Sequence, residues 1–240
     1  MRKYKMIAFD MDGTLLNSQK KVRKETLDAI NKAFDGGKEV ILCTGRALAE
    51  LEEYIELIPR MRYMVMTSGA IVYDIKEKKD IYANEISVEI MDEILNYIKD
   101  KDIMPQMITK ESIVQKKDYE HMEDFHMGIY KPMFNEVAVK VENMLDFYND
   151  NKQPVAKLNL YHTSSEDREE TRKAIEGLDV VLANAETTSL EVSAKNTTKG
   201  LGLQKLCEHL GISIDEAIAV GDADNDLDVL KRAGLSVAMG

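Results

Sequence analysis

The feature that most constrains this chain is a series of short apolar segments, each followed by a small polar or acidic residue. Lys5–Phe9, Val40–Cys43 and Tyr63–Met66 have the length and apolar character of strands that are buried on both faces. Between them, residues 23–34 and 48–58 carry apolar side chains at helical spacing. This β-α-β-α-β order predicts a parallel sheet with right-handed crossovers.

The same pattern returns near the end of the chain, where a helical stripe precedes strand-like segments at Ala217–Val220 and Ser236–Met239. The region between these two parts of the chain differs in composition, because it contains three of the four prolines and more turn-forming residues. We therefore predict an α/β fold, with a Rossmann-like parallel core and an inserted α+β cap domain. The predicted segments are the first part of the core, the cap and the second part of the core, at residues 1–80, 81–188 and 189–240 respectively.

Composition excludes several classes of protein. Among the 240 residues, 44% are hydrophobic and 31% are charged, which is close to globular averages, and the apolar runs are far shorter than the roughly 20 residues that span a bilayer. A net charge of −11 argues against general nucleic-acid binding. The basic N-terminus has no secretory signal pattern after it, and Cys43 and Cys207 lie in apolar runs. We therefore expect a cytoplasmic protein with reduced core thiols.

Polar residues end the predicted core strands at Asp10, Thr44, Ser68 and Asp222. In an open parallel sheet, ligands bind outside the carboxyl ends of the strands, so these residues are candidates for one shared site. Asp10 and Asp12 lie two positions apart, and their carboxylates would repel each other unless a cation or a proton lies between them. A divalent metal ion satisfies this requirement, whereas an Asp-Gly turn with capping acids is the structural alternative.

A second acidic cluster follows the predicted strand Ala217–Val220. Residues 222–226 supply three carboxylates and the amide of Asn225, an oxygen-rich set that suits a hard cation such as Mg²⁺. The cluster is not a calcium-binding EF-hand, because the required glycine is missing and the twelfth position, counted from Asp222, is Ala233.

Two further segments are candidates for holding an anion. Thr44-Gly45-Arg46 follows a strand and precedes a predicted helix, which offers a hydroxyl and backbone N–H groups. Lys199 opens another helix, although the helix dipole disfavours a cation at that end. A bound anion would explain this lysine, and a solvated side chain is the alternative.

Together these segments resemble four motifs of the haloacid dehalogenase-like hydrolases, and within them the Cof-type phosphatases, whose α/β cap is inserted after the second motif. The matching segments, in motif order, are Asp10-Met11-Asp12-Gly13-Thr14, Thr44-Gly45-Arg46, Lys199, and Gly221-Asp222 through Asn225-Asp226. The motifs cover the core at both ends of the chain, whereas the cap matches by size and position only.

The resemblance implies a role for each motif residue. Asp10 is the expected nucleophile that forms an aspartyl-phosphate, and Asp12 is the expected general acid and base. The expected Mg²⁺ ligands are Asp10, the backbone carbonyl of Asp12, Asp222 and Asp226. The expected phosphate-binding residues are Thr44, Gly45, Lys199 and Asn225. With Mg²⁺ and Lys199 against four aspartates, the site carries a formal charge of −1, and one proton on Asp12 neutralises it.

The sequence departs from the family pattern in three places. Ser68-Gly69-Ala70 stands where Asn-Gly-Ala is common, so an amide contact is expected to be missing. Two lysines are candidates for the third motif; we favour Lys199, which is followed by Gly200, over Lys195. The chain ends at Gly240, where family members commonly continue with another helix and strand, so we expect an uncovered sheet edge.

Substrate choice is expected to lie in the cap, because the core motifs contact only phosphate and metal. Tyr119, His121, His126 and Tyr130 form a polar and aromatic set that could stack on a sugar. Surface or packing roles are the alternative for each.

We expect a phosphatase that acts on a small phosphorylated metabolite, such as a sugar phosphate or a phosphorylated cofactor, without nucleic-acid or membrane partners. A phosphomutase is the second candidate, because it shares this core and returns the phosphoryl group to a sugar. A non-catalytic phosphate-binding or metal-binding module is the third, and it is disfavoured because it would not require Asp12 as an acid. The sequence does not indicate an oligomeric state.

Overall fold

The computed structural model describes residues 4–239, so the first three residues of the basic N-terminus, and Gly240, lie outside it. The described chain divides into two compact units. The first unit contains the residues up to Arg46, Leu51–Ala83, and the residues from Thr197 onward. The second contains Ala47–Glu50 and Asn84–Asn196.

The strands and helices alternate along most of the described chain. The strands are β1 (Met6–Phe9), β2 (Glu39–Cys43), β3 (Tyr63–Met66), β4 (Ile71–Asp74), β5 (Lys79–Ala83), β6 (Ile103–Ile108), β7 (Ser112–Gln115), β8 (Ala138–Val141), β9 (Lys157–His162), β10 (Val180–Asn184), β11 (Ser189–Ala194), β12 (Ala217–Gly221) and β13 (Leu235–Ala238). The α-helices are α1 (Lys24–Asp35), α2 (Glu52–Leu57), α3 (Val88–Ile98), α4 (Lys116–Glu120), α5 (Lys131–Val137), α6 (Met144–Asp150), α7 (Ser165–Ile175), α8 (Lys199–Leu210) and α9 (Leu227–Arg232).

A seven-stranded sheet forms the first unit, in the order β13-β12-β1-β2-β3-β4-β5. The strands from β13 to β3 pair in parallel, and β4 and β5 add an antiparallel extension. Apolar residues such as Met6, Ile41 and Val65 pack in one buried cluster with Leu203 of α8. The parallel pairing places the carboxyl ends of β1, β2, β3 and β12 at the same edge.

A six-stranded sheet forms the second unit, in the order β10-β11-β9-β6-β7-β8, and only β7 and β8 pair in parallel within it. One set of alternating residues, including Leu158 and Leu190, packs with residues of α3, α6 and α7. The other set carries polar side chains, because Gln106, Asn159 and Glu191 occupy one row of the strand register. These strands therefore bury polar groups in mid-strand.

The predicted α/β class is confirmed, with a mostly parallel sheet in one unit and a mixed α+β arrangement in the other. The predicted core strands all form, but the extension by β4 and β5 was not predicted. The first part of the first unit extends to Ala83, interrupted by Ala47–Glu50, whereas the predicted boundary lies after residue 80. Residues 189–194, which the predicted boundary assigns to the core, form β11 and pair with β9 of the second unit.

The helical stripe predicted over residues 48–58 is interrupted. Leu48–Glu50 forms a separate 3-10 turn, and α2 starts at Glu52. The side chain of Glu50 accepts a hydrogen bond from the Ala47 N–H at 2.9 Å, which closes this turn on itself.

Two further expectations concern the core and the membrane. Cys43 and Cys207 are free and buried, as predicted for core thiols. Across residues 4–239, every helix is too short or too polar to cross a bilayer.

Candidate active site

Asp10 and Lys199 form the centre of a buried charge cluster at the carboxyl edge of the parallel strands. Asp10 follows β1, and its N–H donates to the Val220 carbonyl at 2.9 Å, which fixes it beside the end of β12. The Nζ atom of Lys199 donates to Asp10 Oδ1 at 2.6 Å and to Asp226 Oδ1 at 2.7 Å. Both carboxylates and the ammonium group are almost fully buried. The fold therefore joins residues that lie 189 positions apart in the chain.

The position of Lys199 at a helix N-terminus has a direct explanation. Helix α8 begins at this lysine, and the hydroxyl of Thr198 caps it by accepting the Leu201 N–H at 3.0 Å. Burial alone would lower the pKa of Lys199, but the adjacent charges of Asp10 and Asp226 outweigh burial and raise it. A cation at a helix N-terminus was expected to need a nearby anion, and two carboxylates of the protein provide that negative charge.

The two carboxylates are held differently. Burial raises the pKa of Asp10 from 3.8 to about 6, although Lys199 acts in the opposite direction. Asp226 uses its second oxygen, Oδ2, to accept the backbone N–H groups of Asp222 and Ala223, each at 3.1 Å. These two hydrogen bonds, together with the one from Lys199, fix the loop that follows β12 relative to Lys199.

Three carboxylates of the cluster are arranged as a metal site would require. Asp10, Asp222 and Asp226 each offer an oxygen, and these oxygens lie within 4.8 Å of one another. An all-oxygen donor set suits a hard divalent cation. Gly13 lies against this group, with a positive φ of 89°, and a Cβ atom there would come within 2.2 Å of Asp222 Oδ2. Only glycine therefore lets the chain pass so close to the cluster.

The side chain of Asp12 is directed to a different set of partners. Arg46 donates from Nε to Oδ2 and from Nη2 to Oδ1, both at 2.9 Å, and Lys20 Nζ donates to Oδ1 at 2.7 Å. Burial alone would raise the pKa of Asp12, but hydrogen bonds and charge from Arg46 and Lys20 hold it below its usual value. The carboxylate is therefore held in its ionised form by two cations.

The loop after β2 brings Thr44 and Gly45 to the same strand edge. Thr44 is buried; its Oγ1 accepts the Arg46 N–H at 3.2 Å and its carbonyl accepts the Ser68 N–H at 3.0 Å. Helix α2 starts at Glu52, and the 3-10 turn Leu48–Glu50 lies between it and this loop. Asn225 contacts the cluster through Oδ1, which lies 3.5 Å from Lys199 Nζ.

The two candidate lysines lie in different units. Lys199 belongs to the charge cluster, whereas Lys195 pairs with Asp179 at 2.6 Å in the second unit. The geometry therefore associates Lys199, and not Lys195, with Asp10.

The four candidate substrate residues of the predicted cap have separate partners within the second unit. The Tyr119 hydroxyl donates to Asn135 at 3.1 Å, and the Tyr130 hydroxyl donates to Glu186 at 2.8 Å. His121 Nδ1 lies 3.9 Å from Asp124 on the surface, and His126 Nε2 lies 3.1 Å from the Thr163 carbonyl. The structure gives these residues local packing contacts, and their role in substrate binding stays a prediction.

Sequence reasoning missed three contributors to the site. Arg46 was identified only as part of a motif, and its two hydrogen bonds to the Asp12 carboxylate were not predicted. Lys20 lies in a turn with a positive φ of 58°, and no local sequence pattern predicts this backbone conformation. Thr14 donates its hydroxyl to Asp222 Oδ1 at 2.6 Å, a contact that spans 208 positions.

The fold and the site together define an α/β protein with an acidic, lysine-containing centre at the carboxyl edge of a parallel sheet. The sequence profile of the haloacid dehalogenase-like hydrolases matches residues 7–240, and the chain belongs to this family. The resemblance inferred from the four motifs is thereby confirmed.

Named relatives agree with this family. The chain is 25% identical to Phosphatase YwpJ and 28% identical to 5-amino-6-(5-phospho-D-ribitylamino)uracil phosphatase YcsE, both from Bacillus subtilis. Each alignment covers 98% of this chain, and 89% and 84% of the respective relative. A solved haloacid dehalogenase-like hydrolase from B. subtilis has the same fold, with a TM-score of 0.86 at 24% identity over 98% of this chain and 89% of that one. The protein is a phosphomonoester hydrolase.

Proposed function

We propose that this protein is a Mg²⁺-dependent phosphatase that hydrolyses small-molecule phosphomonoesters through an aspartyl-phosphate on Asp10. One observation carries the proposal: Lys199 lies between the carboxylates of Asp10 and Asp226 at a shared strand edge. A nucleophile next to a fixed cation is the arrangement that phosphoryl transfer requires, because negative charge develops on the transferred group.

In the first step, a carboxylate oxygen of Asp10 attacks phosphorus. The P–O bond to the substrate breaks as the new P–O bond to Asp10 forms, and Asp12 gives a proton to the leaving oxygen. Because Arg46 and Lys20 favour the ionised form of Asp12 in the free protein, Asp12 must first take up this proton before the step. The products of this step are an alcohol and the aspartyl-phosphate. Covalent catalysis of this kind splits one difficult displacement into two easier ones.

In the second step, water attacks the phosphorus of the aspartyl-phosphate. Asp12, now a carboxylate, accepts the proton of the attacking water, and the P–O bond to Asp10 breaks. Inorganic phosphate leaves, Asp10 is again a carboxylate and Asp12 is again protonated. The overall reaction consumes one water for each ester.

Asp10, Asp222 and Asp226 are the residues that would hold the metal, as their shared geometry allows. When bound there, Mg²⁺ supplies positive charge that offsets the negative charge of the phosphoryl group. We assign the cradle of that group to Thr44, Gly45, Lys199 and Asn225. The backbone carbonyl of Asp12 completes the proposed metal ligands.

We place substrate choice in the second unit, where Tyr119, His121, His126 and Tyr130 are the candidates. The relative YcsE is named for a substrate that carries a phosphoribityl chain attached to a uracil ring. A phosphorylated sugar, or a cofactor that carries such a chain, is accordingly the substrate class that we propose. No membrane or nucleic-acid partner is part of this proposal.

The test measures release of inorganic phosphate from a panel of phosphomonoesters, with Mg²⁺ and with chelator. The Asp10→Asn variant is expected to lose at least about 1,000-fold in kcat, because the amide is a far weaker nucleophile. Asp35→Asn is the matched control, since Asp35 pairs with Arg60 on the surface.

Three outcomes would count against the proposal. Full activity in Asp10→Asn, or release of phosphate that is independent of metal, would refute the mechanism. Isomerised sugar phosphate in place of free phosphate would assign the protein to the phosphomutases.

A further inference from the structure

Tyr54 contacts both of the residues whose side chains bind Asp12. It lies in α2 with its ring buried, and its hydroxyl donates to the backbone carbonyl of Lys20 at 2.9 Å. The guanidinium carbon of Arg46 lies 5.4 Å from the centroid of the Tyr54 ring, within the range of a cation–π contact. One side chain therefore supports two residues that are 26 positions apart in sequence and meet at one carboxylate.

Lys20 needs such support because of its backbone conformation. Its φ of 58° is in the left-handed region, which is unfavourable for a non-glycine residue. The turn is held by Asn17, whose carbonyl accepts the Lys20 N–H at 2.9 Å and whose side chain accepts the N–H groups of Gln19 and Lys21. The bond from Tyr54 fixes the carbonyl on the other side of Lys20. Together these contacts fix the backbone from which the Lys20 side chain extends to Asp12.

The carboxylate of Asp12 is fixed by three donated hydrogen bonds. Oδ1 accepts from both Arg46 and Lys20, and Oδ2 accepts from Arg46 alone. Arg46 binds both oxygens and Lys20 binds Oδ1 as well, so the orientation of the carboxylate depends on both cations. It depends on Tyr54 through Lys20, whose carbonyl Tyr54 binds.

We propose that Lys20 and Tyr54 are positioning residues for the general acid and base Asp12. The inference rests on the proposed function, because it concerns the proton that Asp12 gives and takes back. Lys20 sets the angle of the carboxylate, and Tyr54 sets the position of both Lys20 and Arg46. Neither residue touches the reacting atoms.

The leaving group of the substrate separates this role from a merely structural one. An alkyl phosphate releases a strongly basic alkoxide and needs the proton of Asp12, whereas p-nitrophenyl phosphate releases a stable anion without it. For p-nitrophenyl phosphate, kcat/KM therefore reports a step that does not need Asp12 as an acid. Its kcat still includes hydrolysis of the aspartyl-phosphate, in which Asp12 must accept a proton from water.

The experiment compares Lys20→Met and Tyr54→Phe with the parent on glycerol phosphate and p-nitrophenyl phosphate. We expect kcat/KM for glycerol phosphate to fall about 10-fold, which is part of the roughly 100- to 10,000-fold that general acid catalysis contributes. We expect kcat/KM for p-nitrophenyl phosphate to stay within about 2-fold, while its kcat falls and an initial burst of nearly one p-nitrophenolate per enzyme appears. Lys20→Arg keeps the charge and is expected to restore most of the loss.

Two matched controls use the same substitutions elsewhere in the first unit. Lys21→Met changes the exposed neighbour of Lys20. Tyr63→Phe changes another buried tyrosine over which an arginine lies, since Arg62 is 5.0 Å from its ring, at the opposite end of β3 from the site. Both controls are expected to keep the parental kinetics on both substrates. Thermal unfolding of every variant shows that the fold is retained.

The outcomes separate the two proposals. If the parent is active and depends on Asp10, but the Lys20 and Tyr54 variants lose equally on both substrates or lose nothing, the positioning role is overturned and the proposed function stands. If the parent releases phosphate from no ester, or Asp10→Asn stays active, the proposed function fails first and the positioning role fails with it.

Discussion

The two units bury polar groups in opposite ways. In the first unit the buried groups are charged, with the Lys199 ammonium between the carboxylates of Asp10 and Asp226. In the second unit a network of mostly uncharged groups centres on Gln106, whose amide nitrogen donates to Glu50 at 2.9 Å and to Ser112 at 2.7 Å.

The network continues across the second sheet. The amide oxygen of Gln106 accepts from Asn159 at 2.8 Å and from the Tyr161 hydroxyl at 2.6 Å. Every hydrogen-bonding atom of the Gln106 amide group thus has a partner. The first cluster is centred on a cation between two acids, and the second on one amide whose nitrogen and oxygen each form two hydrogen bonds.

The difference follows from how each sheet delivers its side chains. Parallel strands end at one edge, so the residues that follow them meet whatever their spacing in the sequence. Antiparallel strands bring mid-strand residues together through their register, as Gln106 and Asn159 are directly opposite each other. The charged cluster therefore lies at an edge of its sheet, whereas the amide network lies in mid-strand and joins neighbouring strands.

The largest effect is expected from Lys199→Met, which removes the cation from the charged cluster. Two buried carboxylates would be left without their partner, and breaking a buried ion pair from one side costs about 3–5 kcal/mol. We expect this loss in the free energy of unfolding, measured by urea denaturation in chelator, together with loss of phosphatase activity.

Lys195→Met is the control for this change, because Lys195 pairs with Asp179 on an exposed surface. It is expected to keep full activity and nearly the parental unfolding midpoint. Equal effects of the two substitutions would contradict the assignment of the charged cluster to Lys199.

A smaller effect is expected from Gln106→Leu, which removes the centre of the amide network. The substitution removes a buried hydrogen-bond partner from each of Asn159, Tyr161 and Ser112. Each unsatisfied buried group costs about 1–3 kcal/mol if the surrounding structure does not adjust. We expect a net loss of about 3 kcal/mol in the free energy of unfolding, since leucine recovers part of it by apolar contact.

Gln153→Leu is the control, because Gln153 is exposed in the same unit. Hydrogen exchange of strands β6 and β9 locates the effect: faster exchange there is expected in Gln106→Leu only. Unchanged protection of these strands would show that the network does not hold the sheet.

The smallest effect is expected from Asp118→Asn, which tests a buried acid of the second unit outside both clusters. Burial raises the pKa of Asp118 from 3.8 to about 6, although Lys117 and a hydrogen bond from Gln115 oppose it, and Asp102 and His121 also contribute. Because the folded pKa is the higher one, this carboxyl stabilises the fold below pH 4, relative to higher pH. The contribution is lost as the pH rises to about 6.

The measurement is the free energy of unfolding from pH 3.5 to pH 8. The parent is expected to lose of order 2 kcal/mol relative to Asp118→Asn between about pH 4 and pH 6, and the difference is expected to be flat above pH 7. Parallel profiles for the two proteins would show that Asp118 does not titrate in this window.

The strand-end residues of the first unit could be predicted from sequence because their placement needs only strand order. Asp10, Thr44 and Asp222 follow apolar segments, and any parallel arrangement of those segments brings them to one edge. The existence of Asp12 as a second acid was visible in the same way. Its partners were not, because Lys20 reaches it from a left-handed turn that only the folded chain defines.

The amide network could not be predicted because its members look ordinary in sequence. Gln106 lies next to Pro105 in a strand, Ser112 is separated from it by a turn, and Asn159 follows about fifty residues later. Their meeting depends on the register of β6 with β7 and β9, which a one-residue slip would abolish. The boundary near residue 188 was misplaced for the same reason, since β11 is recognisable only by its pairing.

The short segment Ala47–Glu50 has a consequence for exchanging parts between relatives. It belongs with the second unit, although the residues on both sides of it belong to the first. A chimera that transplants only residues 84–196 would carry Gln106 into a host that need not supply the carboxyl group of Glu50. Recombination of these two units therefore has four junctions rather than two, and the smallest transferable piece is discontinuous in the gene.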